Sequence, residues 1–338
     1  MPDSMPPFVS VIVPCYNEQA TIRFLLDALF AQTYPRAQME VVIADALSQD
    51  NTRQELAAFQ QEHPDFVLHV VDNARRTIPS GLNLAIAEAH GEIIIRLDAH
   101  SMPIPEYVER CVSALESGRG DNVGGVWMIR PGGDGWVAES IAAAAAHPLG
   151  VGDAMYRLKA NAGAVDTVPF GAFRRELIQR IGGFDETLLA NEDYEFNTRI
   201  RRSGGIVWLD PQIRSTYFAR ASLIELARQY WRYGFWKFKM LRRYPGTLRW
   251  RQALPPLFAA SLIFFVLFSF FFALAGWMLL FEIFIYLLVL MAAGIHLFLR
   301  QRRPLLVPGL MLAIAVMHLS WGSGFLWSLV STLFTNHG

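Results

Sequence analysis

Asp98-Ala99-His100 follows directly on an apolar run, Glu92-Ile93-Ile94-Ile95-Arg96-Leu97, and further along an acidic pair, Glu192-Asp193, opens a helix pattern. Ligands of open α/β sheets gather at the carboxyl ends of the strands. A carboxylate and an imidazole two residues apart there suit a divalent cation, Mg²⁺ or Mn²⁺, gripping a diphosphate. Such a cation stabilises the negative charge that grows as a bond to the diphosphate breaks. His100 is softer than a second carboxylate and points to tolerance for Mn²⁺. The acidic pair offers a base, since an inverting displacement needs one carboxylate to take the proton of the attacking hydroxyl. Spacing leaves open whether Glu192 or Asp193 does so. The chemistry expected is metal-assisted group transfer.

Two further groups belong to this reading. Asp45 ends a second strand, before the polar turn Ala46-Leu47-Ser48-Gln49-Asp50-Asn51-Thr52, where a carboxylate can accept a hydrogen bond from a nucleotide base. Gln229, Arg232 and Tyr233 lie within about one helical turn, and their amide, guanidinium and ring make a sugar-binding surface. Plainer roles stay open. Asp45 can cap its turn, Glu192 and Asp193 with Glu195 can supply favourable charge at a helix N-terminus, and Arg232 and Tyr233 can anchor a membrane-surface helix.

The elements that must position these groups are readable as alternation. Between residues 8 and 128, strand-like runs alternate with helix-like patterns, which predicts a mostly parallel sheet covered by helices. Val9–Val13 is the first strand. Asn17 is placed to cap the next helix, whose Ile22, Leu25, Leu26, Leu29 and Phe30 repeat at helical spacing until Tyr34-Pro35 stops it. Strands follow at 41–44, 66–71 and 92–97, then at 123–129 and 165–168. Helices are expected at 79–89, from Pro105, at 137–146 and at 175–181, the last closed by Gly182-Gly183.

Composition changes abruptly near residue 253. From Ala253 to Leu299 the one charged residue is Glu282, and 304–334 carries none. A spanning helix needs about 20 apolar residues, so three spans are expected, at about 254–275, 277–299 and 305–331, with the first turn at Ala275-Gly276-Trp277. Glu282, His296 and His318 within them are read as helix contacts or interface residues. Phe8–Val13 is too short for an export core and has no basic flank, so the first 250 residues are expected in the cytosol. Arg242, Arg243, Arg249 and Arg251 before the first span, and Arg300, Arg302 and Arg303 after the second, predict the N-terminus inside and the C-terminus outside. Cys15 and Cys111 have no partner at metal-site spacing and read as core residues of a reduced compartment.

The net charge of zero hides a local excess: 220–251 holds nine Lys or Arg against one acid, Glu225, interleaved with aromatic rings. That is the make-up of a helix lying among lipid headgroups, and the apolar segment that follows at once argues against nucleic acid. The organisation expected is a soluble α/β domain over 1–219, a basic aromatic region over 220–252 and three membrane helices over 253–334.

Val11-Ile12-Val13-Pro14-Cys15-Tyr16-Asn17-Glu18, the Asp45 turn, Asp98-Ala99-His100, Gly182-Gly183-Phe184-Asp185-Glu186, Asn191-Glu192-Asp193 and Gln229-x-x-Arg232-Tyr233 resemble glycosyltransferase family 2 in order and spacing. Arg76-Thr77-Ile78-Pro79-Ser80, Leu97–Ser101, Val168–Arg175 and Gln229–Gly234 look like its succinoglycan-biosynthesis, ExoA-like branch. The resemblance runs from about Phe8 to Trp250, with similar spans after it. It implies a GT-A, Rossmann-like α/β fold followed by a helical membrane region, a nucleotide-sugar donor, a divalent metal and one inverting displacement. Residue by residue, it sets Pro14, Asn17 and Glu18 near the nucleoside, Asp45 at the base, Asp98 and His100 at the metal and diphosphate, and Asp193 as the base. Gln229, Arg232 and Tyr233 match an acceptor motif that ends in Trp in processive relatives. The turn after Asp45 departs from the family's form by lacking both glycines, and D-x-H stands where D-x-D is common.

The function expected is a membrane-anchored, metal-dependent inverting glycosyltransferase of the cell (inner) membrane. It would move a hexose, with glucose the first expectation, from a UDP-sugar to a lipid-linked saccharide during exopolysaccharide assembly. The alternatives are transfer to polyprenyl phosphate itself and, from another class, a catalytically silent sugar-nucleotide-binding membrane protein.

Overall fold

The computed structural model describes residues 5–158 and 161–335. In chain order the first elements are β1 (Val9–Cys15), α1 (Ile22–Phe30), β2 (Met39–Asp45), α2 (Thr52–Glu62), β3 (Leu68–Asp72), α3 (Ile78–Glu88) and β4 (Ile93–Arg96). Then come β5 (Met102–Pro103), α4 (Tyr107–Glu116), β6 (Asn122–Arg130), α5 (Trp136–Ala145), α6 (Pro148–Val151), β7 (Gly163–Ala164), β8 (Ala172–Arg174), α7 (Arg175–Ile181), α8 (Glu192–Arg202) and β9 (Val207–Phe218). The chain ends in α9 (Leu223–Arg243), α10 (Trp250–Ser269), α11 (Ala273–Gln301) and α12 (Leu306–Thr335). It divides into two compact units, residues 1–128 with 155–217, and residues 129–154 with 218–338.

The first unit is built on a sheet of order β3-β2-β1-β4-β8-β6-β9-β5, with β7 paired to β9. β3, β2, β1 and β4 run parallel, so their carboxyl ends share one edge. The rest differs from the mostly parallel sheet expected, because β8 pairs antiparallel to both β4 and β6, and β5 and β7 pair antiparallel to β9. Alternation along β1 divides the core. Val9, Val11 and Val13 join Leu25, Leu29, Phe59 and Val108 on one face, while Ile12 joins Leu82, Leu177 and Phe196 on the other. Cys15 and Cys111 are buried with this core, which pushes both thiols up out of the reactive range.

Two local expectations change, and one strand was not anticipated. α1 is capped at Thr21, because Asn17 takes a left-handed backbone (φ 53°) and its Oδ1 accepts Gln49 N instead. Residues 165–168 do not form the strand expected of them: β7 ends just before, at Ala164, and Val165 adds one backbone bond to Val207 O. β9, twelve residues long, carries Asp210-Pro211-Gln212 within it, and those turn-forming residues mask the strand in the sequence.

At the opposite, amino-terminal edge, Glu40 is buried and accepts from Ser10 Oγ at 2.5 Å and His90 N at 2.5 Å, with His90 Nδ1 at 3.1 Å. Burial pushes its carboxyl up, but these bonds outweigh it and hold the carboxyl below its ordinary range. A depressed folded pKa contributes stability that is present above the unfolded value and is lost as pH falls through the folded one. Glu40→Gln is therefore expected to lower unfolding stability by about 1–3 kcal/mol at neutral pH, with the gap to wild type closing in acid. Thermal unfolding of both proteins across pH checks this, and a gap that does not vary with pH contradicts it.

The second unit is helical. α10, α11 and the stretch Leu306–Phe334 of α12 are long and apolar enough to cross a membrane, with mean hydropathies of 1.8, 2.5 and 1.5. The first turn lies at 270–272 rather than at 275–277, so Gly276 sits inside α11. Glycines let the helices approach closely: a Cβ on Gly234 of α9 would lie 2.1 Å from Trp321 O, and one on Gly324 of α12 would lie 2.2 Å from Trp231 O. α9 thus packs along α12. Glu282 Oε1 accepts from Ser261 Oγ at 2.5 Å, and Tyr286 Oη meets His318 Nδ1 at 3.0 Å, so both residues make the helix contacts expected of them. α5 joins this unit and packs on α12, which is why 129–154 groups with the C-terminal helices rather than with the sheet.

Candidate active site

Parallel pairing brings Asp45, at the end of β2, beside Cys15 of β1 and Asp72 of β3, while Arg96 ends β4 beside Ile12. The loops that leave this edge carry an unusual share of strain. Asn17, Leu47, Arg76, Phe170 and Asn191 all have positive φ, between 53° and 65°. Leu, Arg and Phe adopt that region at a cost that surrounding structure must hold, and such residues cluster at functional sites.

The loops after β1 and β2 are stitched together. Asn17 N donates to Ser48 Oγ at 2.9 Å, Glu18 N to Thr52 Oγ1 at 2.8 Å and Asn51 N to Gln19 Oε1 at 2.9 Å. These bonds supply the definition that the missing glycines of the turn do not. The Asp45 carboxylate is wholly buried, accepting from Ser48 Oγ at 2.5 Å and Arg53 Nε at 2.6 Å. Arg53 also reaches Asp72 and is itself half-exposed, so Asp45 meets the edge through Arg53 rather than directly. Pro14 is half-buried within β1, opposite Ala44.

Glu18 faces His100 rather than open solvent, with its Oε1 3.0 Å from His100 Nδ1. A carboxylate accepts only, so Nδ1 carries the proton, and Nε2 faces Asp98 Oδ2 at 4.0 Å. A carboxylate fixing the far nitrogen of an imidazole is the usual support of a metal-binding histidine. Two ligands of one Mn²⁺ or Mg²⁺, each about 2.1 Å away, stand at most about 4.2 Å apart. Asp98 and His100 stand just inside that reach, and a small rotation of either side chain would be needed to bring them to the spacing of about 3 Å of adjacent octahedral positions. Among the described residues no cluster of three His, Cys, Asp or Glu converges to hold a metal unaided. A two-ligand site suits an ion that takes its other oxygens from water and a phosphate-bearing substrate.

Arg96, which the sequence reading passed over, joins the two acidic motifs. It is 3% exposed, and its Nη1 donates to Asp193 Oδ2 at 2.7 Å, while Nη2 reaches Asp98 Oδ1 at 2.8 Å and Glu192 Oε1 at 3.3 Å. The ring of Phe170 lies 5.2 Å beneath the guanidinium. One signal was available: a cation inside the run Ile93–Leu97, two residues before Asp98 and so on the same face. α8 is held in place from behind. Glu195, fully buried, pairs with Arg199 at 2.6 Å, Arg199 Nη1 donates to Ile181 O at 2.6 Å, and Asn197 accepts from Asn122 Nδ2 at 2.6 Å.

Burial pushes the Asp193 carboxyl up. Arg96 pulls it down, Glu192 and Asp98 add to the rise, and the balance brings it up to about 7. A carboxyl poised there exchanges protons near neutral pH, as a general base must. Arg96 thus brings Glu192, Asp193 and Asp98 into one group, with His100 and Glu18 beside it.

Gln229, Arg232 and Tyr233 lie on α9 of the second unit. Gln229 Nε2 donates to Tyr233 Oη at 3.0 Å, so the two share a face as their spacing requires.

The family model described as "Glycosyl transferase family 2" matches residues 10–182. The chain is 30% identical to "Succinoglycan biosynthesis protein ExoA" of Rhizobium meliloti (strain 1021) over 317 residues, covering 93% of each chain. It is 25% identical to "Dolichyl N-acetyl-alpha-D-glucosaminyl phosphate 3-beta-D-2,3-diacetamido-2,3-dideoxy-beta-D-glucuronosyltransferase" of Methanococcus voltae, covering 96% of this chain and 97% of that one. In fold it is similar to a mannosyltransferase of Pyrobaculum calidifontis solved with GDP-Man and Mn²⁺, with a TM-score of 0.65 and 24% identity, covering 96% of this chain and 88% of that one.

Proposed function

This chain belongs to glycosyl transferase family 2, and from that premise we propose that it moves a hexose from a UDP-sugar to a lipid-linked saccharide in exopolysaccharide assembly, with inversion at the anomeric carbon. The observation that carries the reading is the convergence of Asp98, His100 and Asp193 on one sheet edge, joined through Arg96. The lipid-linked acceptor draws support from the named activity of the archaeal relative, and the exopolysaccharide from the bacterial one. Three apolar helices favour a membrane enzyme, and the arginines before α10 and after α11 favour a cytoplasmic catalytic domain.

In this reading Asp193 accepts the proton of the acceptor hydroxyl as its oxygen attacks C1 of the donor sugar. The bond from C1 to the β-phosphate oxygen breaks on the opposite face, and the nucleoside diphosphate leaves with that electron pair. Asp98 and His100 would hold a divalent ion, which when bound neutralises the charge growing on the diphosphate. Arg53, backed by Asp45 and Asp72, together with Asn17 and Pro14, forms the nucleoside end. Gln229, Arg232 and Tyr233 are the proposed acceptor groups.

The test is transfer of label from a panel of radiolabelled UDP-sugars, UDP-glucose first, by the detergent-purified full chain with Mn²⁺. One arm supplies a membrane lipid extract and another supplies undecaprenyl phosphate. Label is expected in the lipid phase with the extract, lost on chelation by about 100-fold or more and restored by Mn²⁺. Label accepted by undecaprenyl phosphate alone replaces the proposed acceptor. Transfer from no donor to either acceptor rejects the enzyme.

A further inference from the structure

We propose that Arg96 is a positioning residue of the transfer reaction, holding the base Asp193 and the donor-side carboxylate Asp98 in fixed relation through the two arms of one guanidinium. The inference rests on the transferase reading above and adds to it a residue outside the motifs from which that reading came.

Asp98 and Asp193 come from unconnected elements. One follows β4, and the other lies in the first turn of α8, 95 positions later in the sequence. The contacts behind α8 fix its backbone, but the two carboxylates meet one another only through a side chain. That side chain is Arg96, with Nη1 at 2.7 Å from Asp193 and Nη2 at 2.8 Å from Asp98, and the planar fork keeps these two directions rigid. The guanidinium is itself fixed. It is buried, it lies over Phe170, and Arg96 N donates to Gly171 O at 3.0 Å. Phe170 holds a positive φ of 65°, and its own N–H bonds Asp193, so the strained residue grips both the cation and the base.

The charge count argues against simple neutralisation. Among the described residues one guanidinium faces three carboxylates, and its Nε finds no acceptor there. A buried ion pair is weak evidence for stability, and a buried donor left over calls for an explanation. What this arrangement secures is geometry.

Arg96→Lys keeps the charge and loses the fork. In the full chain in detergent, kcat for transfer from the active UDP-sugar to the lipid extract is expected to fall about 100-fold, the loss typical of a small misplacement of reacting groups. Donor KM, and the affinity for UDP with Mn²⁺ by calorimetry, stay within about threefold of wild type. A structural role alone would lower the unfolding midpoint and leave kcat per folded molecule unchanged. If the lysine variant fails to fold, Phe170→Leu withdraws the ring and keeps the ion pairs, and the same fall in kcat without a rise in KM is expected at about tenfold. Wild-type kcat in a folded variant beside an active wild type overturns this inference alone. An inactive wild type overturns the transferase reading and this inference with it.

Discussion

Asp193→Asn is expected to lower kcat for sugar transfer by about 10³, within the range lost when a general base is removed. The substitution keeps the shape of the side chain and an oxygen that can still accept from Arg96, so the fold and the donor-binding residues are left standing. Donor affinity, read as UDP binding with Mn²⁺, is expected to change by less than about threefold. The wild-type pH profile belongs to the same prediction. The Asp193 carboxyl lies up at about 7, and a base works only when deprotonated, so kcat/KM should hold above that pH and decline below it. The acidic limb should be missing from the residual activity of the Asn variant. Glu192, held more loosely by Arg96 at 3.3 Å, is the other carboxylate within reach. A Glu192→Gln variant with the larger loss would exchange their roles.

Gly125→Val is expected to remove folded protein altogether. β6 and β9 are neighbours in the sheet, and a Cβ at position 125 would lie 1.9 Å from Ile213 O and 2.5 Å from Ile213 C. Both atoms are backbone, so no rotamer change relieves the overlap, and the strands must separate at a cost of about 3 kcal/mol or more. That separation would open the antiparallel half of the sheet. The check is the yield of monodisperse protein and its unfolding midpoint in detergent. An unchanged midpoint would mean that the β6 to β9 approach is looser than described.

Much of the parallel edge of the sheet was legible in the sequence because its signals are local. Val9–Val13 and Ile93–Ile95 announce buried parallel strands, and such strands deliver whatever follows them to one edge, which is how Asp45 and Asp98 come to share it. The stripe Ile22, Leu25, Leu26 and Leu29 is buried as its spacing demands. What the sequence hid depends on pairing at a distance. β8 is three residues long and is a strand because β4 and β6 lie on either side of it. β9 is broken in pattern by Asp210-Pro211-Gln212. Arg96 reads as an anomaly in an apolar run until α8 brings it two carboxylates, 96 and 97 residues further along the chain. The turn at Phe270–Phe272 lacks any glycine or proline, so Gly276 drew the expected boundary too late. At Asp45 the sequence shows the carboxylate and hides its partner, Arg53, which pairs with it from eight residues on.

The measurement that tests the account most directly is the anomeric configuration of the product. The full chain would be given UDP-α-D-glucose, Mn²⁺ and the membrane lipid extract, the transferred sugar released from the lipid, and its anomeric proton coupling read by NMR. A base at Asp193 acting in one displacement predicts a β-linked sugar. An α-linked product would contradict that chemistry, and a product formed equally well by Asp193→Asn would remove Asp193 from it.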